Sequence, residues 1–235
     1  MRKNIKAIGL LLAIACISGA LYQGTGAYLT DERKVVNHLD FAGAKGMQAV
    51  LTEPAWEPEK GLLVIPGIKL LKDPQVTNTS SIDMDELVAL KVEFVYTRDS
   101  DERKKGEQLT KEDMKLVSQV FEIDYNSDDP KKADWVRFKG ESREDVRQCF
   151  YYKKVLERQL PEKGETTVPL FTQVQVRKEV NNLMAEKIRQ IGGVEIRVSG
   201  RVLQQMEGER YFGLNSPEEA YQAGLAAFQE LIDAE

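Results

Sequence analysis

Apolar and polar residues alternate with a period of two along several stretches of the chain, the pattern of strands that bury one face and wet the other. The clearest is 87–96, where Val88, Leu90, Val92, Phe94 and Tyr96 share a side. In 194–203, Val194, Ile196, Val198 and Val202 oppose Glu195, Arg197, Ser199 and Arg201. Residues 47–52, 117–125, 134–139, 149–156 and 168–176 complete the set of expected strands, with Phe121, Ile123 and Tyr125 on one face of the second of these. Three segments carry helix signals instead. Thr110-Lys111-Glu112-Asp113 resembles a capping box. Residues 179–190 place Val180, Leu183, Met184 and Ile188 at helical spacing, and Gly192-Gly193 ends the run. Ser216-Pro217-Glu218-Glu219 sets a cap, a first-turn proline and acids at the positive end of a last helix, with Tyr221, Leu225, Phe228 and Ile232 as its stripe.

Many strands, few helices and no strand–helix–strand rhythm predict a mainly β fold, an antiparallel β-sandwich with helical insertions and a C-terminal helix. The charged runs 97–107 and 126–132 read as solvated loops. Pro66-Gly67 reads as a turn, and Pro74, lacking an N–H, suits an edge or a turn. The chain has 235 residues, 42% apolar and 30% charged, enough for one sizeable packed domain.

The N-terminus breaks this pattern. Arg2, Lys3 and Lys6 precede an uncharged run over 7–22, followed by Gln23-Gly24-Thr25-Gly26-Ala27. A basic start, an apolar middle and small residues at Thr25 and Ala27 predict a secretory leader over 1–27, cut between Ala27 and Tyr28. The apolar run falls short of the about 20 residues of a bilayer span. It also continues past Cys16 through Ile17, Ala20 and Leu21, where a lipidated cysteine needs a polar tether. The remaining 28–235 reads as a single domain, and the membrane is met only through the uncut leader.

Removing the leader takes three bases and no acid, so the net charge moves from −5 to about −8. That balance excludes a general nucleic-acid binder, which needs a basic face. It leaves Cys149 as the one cysteine, in an apolar stretch, and so no internal disulfide. His38 is the one imidazole, with no nucleophile motif near it, and an HExxH zinc site needs two. No GxGxxG, Walker or GxSxG motif occurs. Asp124, Asn126 and Asp128 match the start of an EF-hand loop, but Asp129 stands where the turn glycine belongs and Trp135 where the bidentate glutamate belongs. The sequence therefore names no catalytic residue, cofactor or complete metal site.

Short motifs in fixed order carry a resemblance over nearly the whole chain. They begin with Gly26-Ala27-Tyr28-Leu29-Thr30-Asp31, then Asn37 and Phe41-Ala42-Gly43. Glu53-Pro54-Ala55-Trp56 follows, then Pro66-Gly67 and Lys72-Asp73-Pro74-Gln75-Val76-Thr77-Asn78. Thr166-Thr167-Val168-Pro169-Leu170-Phe171, Gln204 and Glu218-Glu219-Ala220-Tyr221 close the series. Together they resemble the TasA/camelysin family of exported Gram-positive proteins. Thr79-Ser80 stands where that family usually has Thr-Gly, and Leu87 where it often has an aromatic residue.

The resemblance implies a jelly-roll-like sandwich, a SipW-type signal peptidase as processing partner, and a place in the extracellular matrix or on the cell surface. It implies a fibre subunit that donates its freed N-terminal segment to the next copy. Here that segment starts at Tyr28 and runs through Val35, Val36, Leu39 and Phe41. Two other functions stand beside this one. Camelysin-type members are classed as metallopeptidases, a label that no zinc triad in this sequence supports. A monomeric surface-binding or adhesion module would use the charged loops and the terminal helix.

Overall fold

The computed structural model describes residues 37–38, 48–57, 65–100, 102–129, 131–204 and 226. The leader, the Ala27–Tyr28 cut, the donor residues Val35, Val36, Leu39 and Phe41, and the helix start at Ser216 lie outside them.

The described chain is a mainly β, antiparallel sandwich. Its strands are β1 (Asn37–His38), β2 (Ala49–Thr52), β3 (Lys69–Leu71), β4 (Gln75–Asn78), β5 (Glu86–Val95), β6 (Phe121–Ile123), β7 (Trp135–Arg137), β8 (Arg147–Tyr152), β9 (Gln173–Val176) and β10 (Glu195–Gln204). Two helices accompany them, α1 (Lys111–Val120) and α2 (Asn182–Gln190). The largest sheet runs β10-β5-β8-β7, and two smaller ones run β1-β2-β4 and β3-β9-β6.

One core joins all three sheets. Val88, Leu90, Val92 and Phe94 of β5 meet Phe150 of β8, Leu51 of β2, Val76 of β4 and Val174 and Val176 of β9, all buried. In register, β5 sets Val92 against Val198 and Phe94 against Ile196, the alternation that the sequence displays. The opposite face of β5 departs from that alternation. Leu87 and Ala89 are buried there too, in a second cluster with Phe138 and Cys149. Phe138, which hydrogen-bonds to Cys149 of β8, and Cys149 itself lie beside β5 in the same sheet, so this face of the central strand is buried as well. Phe138 and Tyr151 pack edge to face there, with ring centroids 5.5 Å apart.

Local chemistry explains the helix ends. Thr110 Oγ1 accepts the Asp113 N–H at 3.2 Å, and Met114, Val117 and Val120 point inward at a three-residue spacing. The helix runs to Val120 and passes directly into β6, so the expected strand 117–125 is confined to Phe121–Ile123. The expected strand 168–176 is likewise shortened to Gln173–Val176. Asn181 caps α2 through the Met184 N–H at 3.0 Å, which starts this helix later than residue 179. Its Leu183 faces solvent, 65% exposed, and Ile188 carries the packing. Gly192 and Gly193 both have positive φ, and a Cβ at Gly192 would lie 2.8 Å from the Arg98 carbonyl oxygen. Pro66-Gly67 forms the expected turn: Gly67 has φ 83° and the Ile68 N–H donates to the Ile65 carbonyl at 3.1 Å. Pro74 sits just before β4, where no ladder hydrogen bond is lost.

Candidate functional site

The edge of the β1-β2-β4 sheet is where the chain's N-terminal segment enters the fold. β1 pairs antiparallel with β2 through two residue pairs, Asn37 with Leu51 and His38 with Val50. β2 is held on its other side by four pairs to β4, from Ala49–Asn78 to Thr52–Gln75. β1 therefore lies at the sheet edge, held by two residue pairs, between the donor residues named by the resemblance. His38, the one imidazole, belongs to this strand.

A buried polar seam lies at the inner end of this sheet. Asn78 donates through Nδ2 to the carbonyls of Met84 (2.8 Å) and Leu156 (3.1 Å), and its Oδ1 accepts the Ser80 N–H at 3.0 Å. Ser80 Oγ donates to Glu86 Oε1 at 2.7 Å and accepts the Gln48 N–H at 2.9 Å. Glu86, the first residue of β5, is fully buried, and its Oε2 has no partner. Burial pushes its carboxyl up to about 7, with the Ser80 hydrogen bond pulling the other way. One serine thus ties the residue before β2 to the start of β5. Ser80, after Thr79 in the turn beyond β4, supplies this hydroxyl.

Two of the sequence motifs meet at the other end of the β2–β4 pair. Lys72 Nζ and Glu53 Oε2 form a 2.7 Å ion pair, both side chains about 5% exposed. The same ammonium lies 5.0 Å from the centroid of Trp56, and Asp73 Oδ1 accepts the Ala55 N–H at 2.8 Å. The tryptophan tetrapeptide and the lysine-led heptapeptide are therefore halves of one structural clamp at the start of β4.

The EF-hand-like residues have protein partners of their own. Asp124 accepts from the backbone of Thr172 and Gln173 at 2.9 and 2.8 Å, Asn126 Oδ1 accepts the Asp134 N–H at 3.2 Å, and Asp128 pairs with Arg143. They serve as loop fasteners rather than a convergent cage. Among the described residues no group of three or more His, Cys, Asp or Glu is placed to hold a metal ion. Cys149 is buried in the second cluster, where burial, with Glu141 beside it, pushes its thiol up to about 12. It is a packed, inert sulfur at neutral pH. No helix among the described residues is long and apolar enough to cross a membrane.

Sequence reasoning missed Glu86 because an acid opening a strand ordinarily faces water. Its signal lies in the register: position 86 shares the inward face of Val88 and Leu90. The geometry defines an antiparallel sandwich whose first described strand sits at the edge of its sheet. The chain matches no family model, no curated protein and no solved structure.

Proposed function

We propose that this is an exported, fibre-forming matrix subunit of the TasA/camelysin type with a jelly-roll-like sandwich, assembling through the N-terminal segment that leader cleavage frees. The observation that supports the reading most is the edge position of β1. A two-pair strand is a small loss to exchange, since each net hydrogen bond is worth about 1 kcal/mol. The same antiparallel pairing on β2 is then available to the corresponding strand of a neighbour, as in domain swapping. One copy gives its strand and receives another at a different place, so the contact is head-to-tail and propagates into filaments rather than closing as a dimer. While the leader holds the segment at the membrane, its N-terminal end is not available for exchange.

The test begins with the N-terminal residue of the exported protein, expected at Tyr28. Size-exclusion chromatography and electron microscopy then compare chains 28–235 and 42–235. The longer chain is expected to form filaments and the shorter to stay monomeric and folded. Equal behaviour of the two chains removes the strand-donation reading, and so does a retained leader on the exported form.

A further inference from the structure

The walls around the Glu86 carboxyl differ in strength. β5, which Glu86 opens, is held by ten residue pairs to β10 and five to β8. Glu86 also exchanges both backbone hydrogen bonds with Leu156, at 3.0 and 2.8 Å. The facing wall is the connection 79–85 between β4 and β5, which has no ladder of its own. Scattered hydrogen bonds fasten it: the Thr79 N–H to the Gln48 carbonyl (2.8 Å), Arg158 Nε to the Ser80 carbonyl (2.8 Å), the Arg158 N–H to Asp85 (3.2 Å) and the Leu160 N–H to Asp83 (2.6 Å). Ser81, Ile82 and Asp83 are exposed. Such a wall opens at far lower cost than a paired central strand.

The seam holds a charge poorly when closed. Glu86 Oε2 and Arg158 Nη1 are both buried without a partner. Ser80 touches both residues, its hydroxyl donating to Glu86 Oε1 and its carbonyl accepting from Arg158 Nε. Arg158 is the cation at this seam, and its Nε goes to a neutral carbonyl rather than to Glu86. Asp83 and Asp85 lie on the connection itself, engaged by the backbone of Leu160 and Arg158. The other neighbours carry no charge: Gln48 before β2, Asn78 of β4, Leu156, and Gln204 of β10, which is the register partner of Glu86. Burial outweighs the help that the Ser80 hydroxyl and the Gln48 N–H give the ionised carboxyl. Water reaching an opened seam removes that penalty.

Gln48 ties the connection to the edge sheet. Its N–H donates to Ser80 Oγ at 2.9 Å and its carbonyl accepts the Thr79 N–H. It is also the residue through which the chain from β1 enters β2. We infer that Glu86 and Ser80 form a proton-operated latch: with Glu86 neutral, the 79–85 connection stays closed on Gln48 and pins the start of β2; with Glu86 ionised, the connection swings open while β5 stays paired.

Hydrogen exchange of the 15N-labelled mature protein from pH 4.5 to 8 reads the latch through the Gln48, Thr79 and Ser80 amides. The Phe94 and Leu109 amides, bonded within the core, serve as reference. After correction for intrinsic rates, the seam amides are expected to open more readily than the reference at every pH. Their opening constant is expected to rise about a hundredfold from pH 4.5 to 7 and then level off. Glu86→Gln is expected to remove the rise. In the unaltered protein the 13C shift of the Glu86 carboxyl is expected to titrate near 7. The proposal is overturned by seam amides that exchange only as slowly as the reference, which would mean opening with the whole fold. It is equally overturned by seam protection that does not change with pH, by a rise that persists in Glu86→Gln, or by a carboxyl that titrates at its ordinary 4.5.

Discussion

Replacing Glu86 by glutamine tests the buried seam through its proton. The carboxyl titrates near 7 in the folded protein, against 4.5 in an open chain. Between those values the folded state holds a proton that the unfolded state has released. Stability from this group is therefore full below pH 4.5 and is lost as pH rises through about 7. At about 1.4 kcal/mol per pH unit the interval corresponds to about 3 kcal/mol, which relaxation of the seam around the charged form trims to about 2 kcal/mol. Glutamine keeps the shape, carries no charge and can still accept from Ser80. Urea unfolding of both proteins at half-unit steps from pH 4.5 to 8 is the assay. The two are expected to match within error at pH 4.5, with the variant the more stable by about 2 kcal/mol at pH 8. A constant difference across the range would refute the reasoning, because an ionisable group that does not titrate in the window cannot be the buried carboxyl described.

Three further outcomes follow from the packing. Gly164→Ala would set a Cβ 2.1 Å from the Asn78 carbonyl oxygen, so backbone must shift, at a cost of about 1–3 kcal/mol in denaturant unfolding. Lys72→Ala removes the cation from buried Glu53 and is expected to cost about 3–5 kcal/mol, while Lys72→Met with Glu53→Leu costs far less, a contrast that thermal melts resolve. At Asp113 burial opposes ionisation, but hydrogen bonds from Tyr96 (2.6 Å), Arg103 (3.1 Å) and Thr110 outweigh it and hold the carboxyl below its usual 3.8. Asp113→Asn is expected to cost about 1–2 kcal/mol at neutral pH, and the loss to shrink as pH falls through 3.8 and below.

The parts of this fold legible in sequence are those set by near neighbours. The alternation of Val88, Leu90, Val92 and Phe94 marks β5, Thr110 marks the start of α1, and Gly192-Gly193 the end of α2, each through contacts within a few residues. What alternation could not show is that Leu87 and Ala89 are also covered, since Phe138 arrives from far along the chain. Leu183 fits the helical stripe of α2 yet faces solvent, because periodicity fixes a direction around the axis and not the presence of a neighbour. The sequence motifs around Trp56 and Lys72 were visible as motifs, but their joining into one ion-paired clamp is a long-range event.

Strand donation is tested most directly by asking which chain supplies β1. Filaments grown from an equal mixture of 15N-labelled and 13C-labelled mature protein are measured by solid-state NMR for contacts linking residues 37–38 to 50–51. The account predicts that these pairings appear between differently labelled molecules. Pairings found only within single molecules, in filaments or in a persistently monomeric protein, would contradict it.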